Sequence, residues 1–242
     1  MRRIHAGAAA LAALAAFVTL AATGCSTAPK EKTESFEVRN KAAEYSALAD
    51  GFLAKGEYDS AVKFYRESAD ANSLVDNVEG VARARVSLGR AYMASGDAAA
   101  AGREFSEALA YAALSGSKTA AALAKAGQGE LAFARGEKEA ALALFEEALG
   151  LAAGDEGATA VALHDAATAK AALGRLAEAK AELERAAALN QKRRRWTELA
   201  ANRYVLASVL AKEGSLEAAL AAALSALEAD KSAENGKGIA GD

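Results

Sequence analysis

Residues able to carry chemistry are scarce in this chain. Among 242 residues there is one cysteine, Cys25, and two histidines, His5 and His164. A thiolate or an imidazole catalyses only when a second group converges on it as base, acid or oxyanion donor. Cys25 has no second thiol, so it forms no intrachain disulfide. One histidine beyond the N-terminal stretch cannot build a His-rich metal site. His164 is followed by Asp165, but consecutive helical residues point about 100° apart, so the two do not form a dyad. No Gly-rich phosphate loop, Gly-x-Ser-x-Gly elbow or His-Glu-x-x-His stretch occurs. The expectation is a protein that is not an enzyme and uses no metal or cofactor. His164 is then a half-buried or groove-facing polar residue.

Charge is concentrated at one place, Lys192, Arg193, Arg194, Arg195 and Trp196, expected to open the inner helix of the fifth repeat unit. Cations beside a tryptophan could engage an acidic partner or lipid head groups. In the simpler structural reading, Trp196 packs on the preceding helix and the cations stay solvated.

The elements that position these residues follow from a repeat. Gly56, Gly96, Gly136, Gly174 and Gly214 are separated by 40, 40, 38 and 40 residues, each between two Ala-rich stretches. A period of this size marks a solenoid of stacked units. In the second unit, Leu88, Gly89 and Tyr92 precede the glycine, and Ala101, Phe105 and Ala108 follow it. The first unit places Leu48, Ala49 and Phe52 before its glycine and Ala61, Tyr65 and Ser68 after it. The third has Gly129, Ala132, Ala141, Phe145 and Ala148, and the fourth Ala166, Ala167, Lys170, Ala179, Leu183 and Ala186. The fifth has Leu206, Ala207, Leu210, Ala219, Ala223 and Ala226. These spacings put each set on one helix face. Small residues at the crossing let two antiparallel helices approach, and the aromatic one turn away fills the gap. The glycine between them supplies a left-handed helix end. Gly150, Gly154 and Gly157 predict a loop where the period shortens. Asp155 and Ser73 are the expected N-caps of the helices after them.

With these residues in place the chain resembles the tetratricopeptide repeat (TPR) proteins, whose units carry Leu-Gly-x-x-Tyr and then Ala, Phe and Ala at set offsets. The longer period and the absence of a closing proline (Pro29 is the only one) are similar to the long-helix variants of kinesin light chains and some bacterial regulators. The resemblance implies an all-α, right-handed α-solenoid of about five helical hairpins over residues 36–230. The units fall at about residues 36–75, 76–115, 117–155, 156–193 and 194–230. It also implies a concave groove lined by the first helix of each pair. Aligned on the glycines, its residues are Asp50, Leu53, Arg83, Val86, Arg90, Met93, Leu123, Glu130, Phe133, Val161, His164, Thr168, Tyr204 and Ser208. Arg90, Met93, Phe133 and Tyr204 make a mixed apolar and basic stripe suited to an extended peptide or a helix. The same residues could equally pack against the next repeat.

The N-terminus has Arg2 and Arg3, an apolar stretch over residues 6–22 and then Ala21, Ala22, Thr23 and Gly24. That is the pattern of a secretory signal peptide, residues 1–24. Gly24-Cys25 after such a run resembles the lipobox of bacterial lipoproteins. It implies acylation of Cys25 and, with Ser26 next, outer-membrane sorting facing the periplasm. Residues 25–35 read as a polar tether and residues 231–242 as a disordered tail. The net charge is −3, mildly acidic and mixed, which implies no general affinity for nucleic acid. The expected function is a membrane-anchored interaction scaffold of the bacterial cell envelope, with envelope-complex assembly as the narrower expectation by analogy with the family. The competing expectation is a ligand-binding accessory subunit of an envelope transporter, with an apolar cavity lined by Phe133 and Tyr204. An envelope hydrolase would need His164 to be catalytic.

Overall fold

The computed structural model describes residues 30–239. The expected signal peptide, Cys25 and the tether up to residue 29 lie outside the described residues, as do residues 240–242. Ten α-helices and no strand occur among the described residues. They are α1 (Lys30–Ala54), α2 (Tyr58–Ser73), α3 (Val78–Ser95), α4 (Ala98–Ser115), α5 (Lys118–Ala134), α6 (Lys138–Leu151), α7 (Glu156–Ala172), α8 (Leu176–Lys192), α9 (Trp196–Lys212) and α10 (Leu216–Ile239). The chain divides between Glu37 and Val38 into two units. The described part of the first is the opening of α1; the packing and sites below all lie in the second.

From α2 onward each helix packs on its chain neighbours. The first helices of successive hairpins also touch, α3 with α5, α5 with α7 and α7 with α9. This is an α-solenoid of helical hairpins, with the odd-numbered helices along its inner side.

Left-handed residues set the beat. Gly56, Gly96, Gly136, Gly174 and Gly214 all have positive φ, and so do Asp76, Gly116, Gly154 and Arg194 between hairpins. Taken together they recur every 20 residues, except for the 18 between Gly136 and Gly154. The shortened period therefore lies in α6, which has 14 residues against 18 in α4. At Gly96 the helix ends with Gly96 N–H donating to Met93 C=O at 3.0 Å and Asp97 N–H to Tyr92 C=O at 2.9 Å. This left-handed closure satisfies carbonyls that the last turn leaves free. Asn77, Asp97, Ser117 and Asp155 cap the next helices by accepting from the N–H three residues on. Asp155 is thus the N-cap read from the sequence. Ser73 is not: it ends α2, and Asn77 caps α3.

The core is small residues enclosing a few large ones. The Phe105 ring fills the space left by two glycines on different helices. A Cβ built on Gly89 of α3 would lie 2.6 Å from its Cε1, and one on Gly127 of α5 2.4 Å. Gly129 meets Phe145 in the same way at 2.5 Å. Glycine is required there because the ring occupies the Cβ position.

Four placements differ from the sequence reading. Leu48 is 49% exposed while its counterpart Leu88 is 2% exposed. Leu88 packs on Ala49, Ala61 and Tyr65 of the preceding hairpin, and Leu48 has no described hairpin before it. On α10 the buried positions are Ala219, Ala222, Ala226 and Ala229, and Ala223 faces solvent. The helix continues to Ile239, past the start of the expected disordered tail. Its Ala229 is held against Ala187, Leu199, Ala200 and Trp196, so the helix is packed on the solenoid up to that residue. Residues 30–35 of the expected tether are likewise helical, the opening of α1; Lys, Glu and Ser there offer no helix breaker.

The concave face as candidate functional site

The inner helices carry one equivalent position six residues before each turn glycine: Asp50, Arg90, Glu130, Thr168 and Ser208. In the first three units this position is ionic with alternating sign. Asp50 accepts a hydrogen bond from the Tyr65 hydroxyl, and burial, then that bond, push the Tyr65 pKa up. Arg90 Nε donates to both Glu130 oxygens at 3.1 Å, and Nη2 donates to Oε1 at 2.6 Å. Burial works against the Arg90 charge, but the Glu130 carboxylate more than offsets it and holds the pKa above normal.

Asp165 of α7 lies one turn from Thr168 and shares the field of this pair. Its Oδ2 is buried and accepts no hydrogen bond. Burial first, and then the neighbouring Glu130 charge, raise its pKa to about 8 against the opposing pull of Arg90. Two carboxylates thus face one guanidinium, and the Asp165 carboxyl keeps its proton at neutral pH. His164 is neutral for a related reason: burial lowers its pKa, with Glu130 pulling the other way. Its Nδ1 lies 2.9 Å from Asn202 Nδ2, and Asn190 Nδ2 donates to Asn202 Oδ1 at 2.8 Å. A neutral ring accepting at Nδ1 fits this chain across the α7, α8 and α9 junction.

Beside these groups lies a pocket of about 350 Å³ lined by Met93, Glu130, Phe133, Phe145, His164, Asp165 and Thr168. Its walls are apolar with a charged end. A second hollow, about 420 Å³, lies between α1 and α3 and is lined by Arg39, Asp50, Ser68, Asn72 and Arg83 among others. Arg83 pairs with Glu79 at 2.9 Å and is about half exposed.

The groove read from the sequence is therefore gathered in two places, with three corrections. Met93, Glu130, Phe133 and His164 share one pocket, Arg90 is tied to Glu130, and Asp50 and Arg83 share the other. Val86 is not in the groove: it is 2% exposed and packs on Ala101, Phe105, Ala124 and Leu131, because α3 turns that face toward α4 and α5. Tyr204 is 72% exposed and does not line the Phe133 pocket, so the two do not enclose one cavity. The basic run does not open the fifth inner helix. Lys192 ends α8, Arg193, Arg194 and Arg195 form the turn, and Trp196 begins α9. Trp196 packs against Ala187, Leu199, Ala200 and Ala229. Lys192 and Arg193 reach Glu156 at 2.5 and 3.7 Å, and Arg195 pairs with Glu198.

Reading the sequence missed Asp165 as a groove residue, along with Asn190 and Asn202. It placed Lys170 on the packed face of the fourth unit but missed its partners: the side chain is charged yet only 6% exposed, with Nζ 2.6 Å from Glu182 and 3.5 Å from Glu146. A buried lysine persists only with such partners, and Glu182 twelve residues on was the one available signal. Among the described residues no group of three or more His, Cys, Asp or Glu is placed to hold a metal. No helix there is long and apolar enough to cross a membrane.

No protein-family description matches this chain, and none of the curated proteins does. Solved structures do. A Podosopora anserina protein of nearly identical TPR-like repeats is 19% identical, covering 81% of this chain and 98% of that one, with a TM-score of 0.54. The Rap protein complexed with Competence and Sporulation Factor is 16% identical over 80% of this chain, with a TM-score of 0.68; the match spans about half, 55%, of Rap. Pseudomonas aeruginosa PilF is 18% identical over 81% of this chain and 78% of its own, with a TM-score of 0.55. The fold is that of the TPR-type α-solenoids.

Proposed function

We propose that this protein is a protein-interaction scaffold whose concave face takes a peptide or helix from a partner protein. The observation that carries this reading is the pocket between α3, α5 and α7. There Met93, Phe133 and Phe145 form an apolar wall beside the Glu130 and Asp165 carboxyl groups. Such a cleft suits an apolar anchor side chain flanked by a polar or basic group. A solved structure of the same fold, Rap, is described with Competence and Sporulation Factor bound, which supports a ligand-holding role for this kind of solenoid. The mild negative charge favours a protein partner over nucleic acid.

The N-terminal pattern adds a location to the proposal. Signal peptide cleavage before Cys25 and acylation of its thiol would tether the scaffold to a bacterial envelope membrane, the outer one facing the periplasm. Tethering raises the local concentration of whatever the groove captures. Assembly of an envelope complex is the process this combination suits.

The test is site-specific photo-crosslinking in cells. A crosslinking side chain at Phe133 and one at Thr168 should trap the same protein, and one at the exposed Arg103 of α4 should not. Different partners at Phe133 and Thr168, or equal trapping at Arg103, would refute the groove reading. The anchor is tested separately with labelled fatty acid: the normal chain takes up label and sediments with membranes, and Cys25→Ala does neither.

A further inference from the structure

The pocket between α3, α5 and α7 holds one carboxyl group that the fold leaves unanswered. Asp165 lines it together with Glu130, Thr168 and the apolar Met93, Phe133 and Phe145. Its Oδ2 is buried and has no hydrogen-bond partner. Arg90, the cation that acts on it, is already spent on Glu130 at 2.6 to 3.1 Å. The neighbouring groups add acceptors. Glu130 keeps the lone pairs that Arg90 does not use. The Thr168 hydroxyl donates to His164 C=O at 2.9 Å, which leaves its oxygen free to accept. The carboxylates that α6, α8 and α9 bring toward α7, namely Glu146, Glu182 and Glu198, are engaged with Lys170 and Arg195. A buried carboxyl oxygen with no partner is costly to keep, and here it borders a pocket of about 350 Å³.

We propose that this pocket is a receptor for one cationic side chain, an arginine or a lysine, presented by the partner segment. The proposal rests on the groove reading above and says what the groove selects. A guanidinium or ammonium group carries donors only, so it answers Asp165, Glu130 and Thr168 without burying an acceptor of its own. Its carbon stem lies against Met93 and Phe133, and the faces of Phe133 and Phe145 attract the charge. An anionic side chain would meet Glu130 and is repelled. In the free pocket Arg90 of α3 and Glu130 of α5 are the charged groups acting on Asp165, which stays neutral by holding a proton. His164 of the same helix is also neutral, because burial lowers its pKa. When the cation enters, the Asp165 O–H gives its proton to solvent and the carboxylate pairs with the incoming charge. The pocket is thus neutral before and after. Cation and proton compete for one site, so affinity rises with pH up to about 8 and levels off above it.

Titration of the isotope-labelled full chain with n-butylguanidinium, followed by the NMR shifts of the Asp165 and Thr168 amides, tests this. The neutral n-butylurea, of the same shape, is the control. At pH 7 the cation should bind at least about 10-fold more tightly than the urea. Its dissociation constant should fall about 10-fold between pH 6 and pH 7. Asp165→Asn should remove both the preference and the pH dependence. Equal binding of the urea, a dissociation constant indifferent to pH, or undiminished binding by Asp165→Asn overturns the proposal. The pH series needs no variant, so it decides the matter even if Asp165→Asn were misfolded. The probe also needs no partner, which separates this test from that of the groove. Unchanged trapping of a partner at Phe133 in cells carrying Asp165→Asn keeps the groove and overturns the cation site. Probe binding with no partner trapped keeps the cation site and refutes the groove.

Discussion

Arg90 and Glu130 stand at the same position in consecutive hairpins, 40 residues apart in sequence, and close a two-pronged ion pair across the inner face. The pair links α3 directly to α5 without passing through α4. Its side chains are 34% and 24% exposed, so it is neither a solvated surface pair nor a dry one. Removing one member leaves the other poorly solvated.

Arg90→Met should therefore destabilise the fold by about 2 kcal/mol, because Glu130 is left beside Asp165 without its cation. Adding Glu130→Met should recover most of that loss, since an apolar pair carries no desolvation cost. Urea titration of both singles and the double measures the coupling. Additive losses would show that the two residues do not act as a pair.

Asp165 predicts how stability depends on pH. Its pKa rises from 3.8 to about 8 on folding. Between those values the native carboxyl holds a proton that the unfolded chain has released, so the contribution is full below pH 4 and is lost as pH rises toward 8. Asp165→Asn mimics the neutral form and removes the titration. The variant's melting temperature should exceed the parent's by a margin that widens from pH 5 to pH 8, reaching a few degrees for about 1 kcal/mol. A margin that narrows with rising pH contradicts the assignment.

One substitution should act with opposite sign at two glycines. Gly127→Ala drives a methyl to 2.4 Å from the Phe105 ring, which is 0% exposed and cannot move aside. The overpacking costs about 1–3 kcal/mol and outweighs the better helix propensity of alanine. Gly150→Ala, within α6, meets nothing within 4 Å and should stabilise by about 0.5–1 kcal/mol. Thermal melts of the two variants decide it; stabilisation by Gly127→Ala would contradict the sandwich of Phe105 between two glycines.

Arg194 occupies a left-handed turn, φ 55°, where the equivalent turns at 116 and 154 use glycine. A side chain there costs about 1 kcal/mol relative to glycine. Arg194→Gly should raise the melting temperature by about 2–4 °C, and Arg194→Ala should leave it near the parent value. If alanine were as good as glycine, the strain would not be real.

The hairpin fold was legible in the sequence because it is local. A turn glycine, a small residue one helix turn from an aromatic, and a constant period need only neighbours within about 40 residues to be satisfied. Of the nine left-handed turns, the sequence marked the five repeat glycines and Gly154; Gly116 went unread, and Asp76 and Arg194 adopt the form without being glycine. For the groove, aligning the repeats on the turn glycines named Asp50, Arg90 and Glu130 among others, and the structure sets these three at one equivalent position of successive inner helices. Val86 went astray because helical phase alone does not say which neighbour covers a face.

By itself, then, the order of residues determined the helices, their pairing and the stacking, since short-range sterics and helix periodicity decide those. Tertiary structure alone decided that Asp165 keeps a proton and that Lys170 survives inside. Each depends on what lies across a helix interface, and desolvation and coverage are properties of that neighbour rather than of the chain's own periodicity.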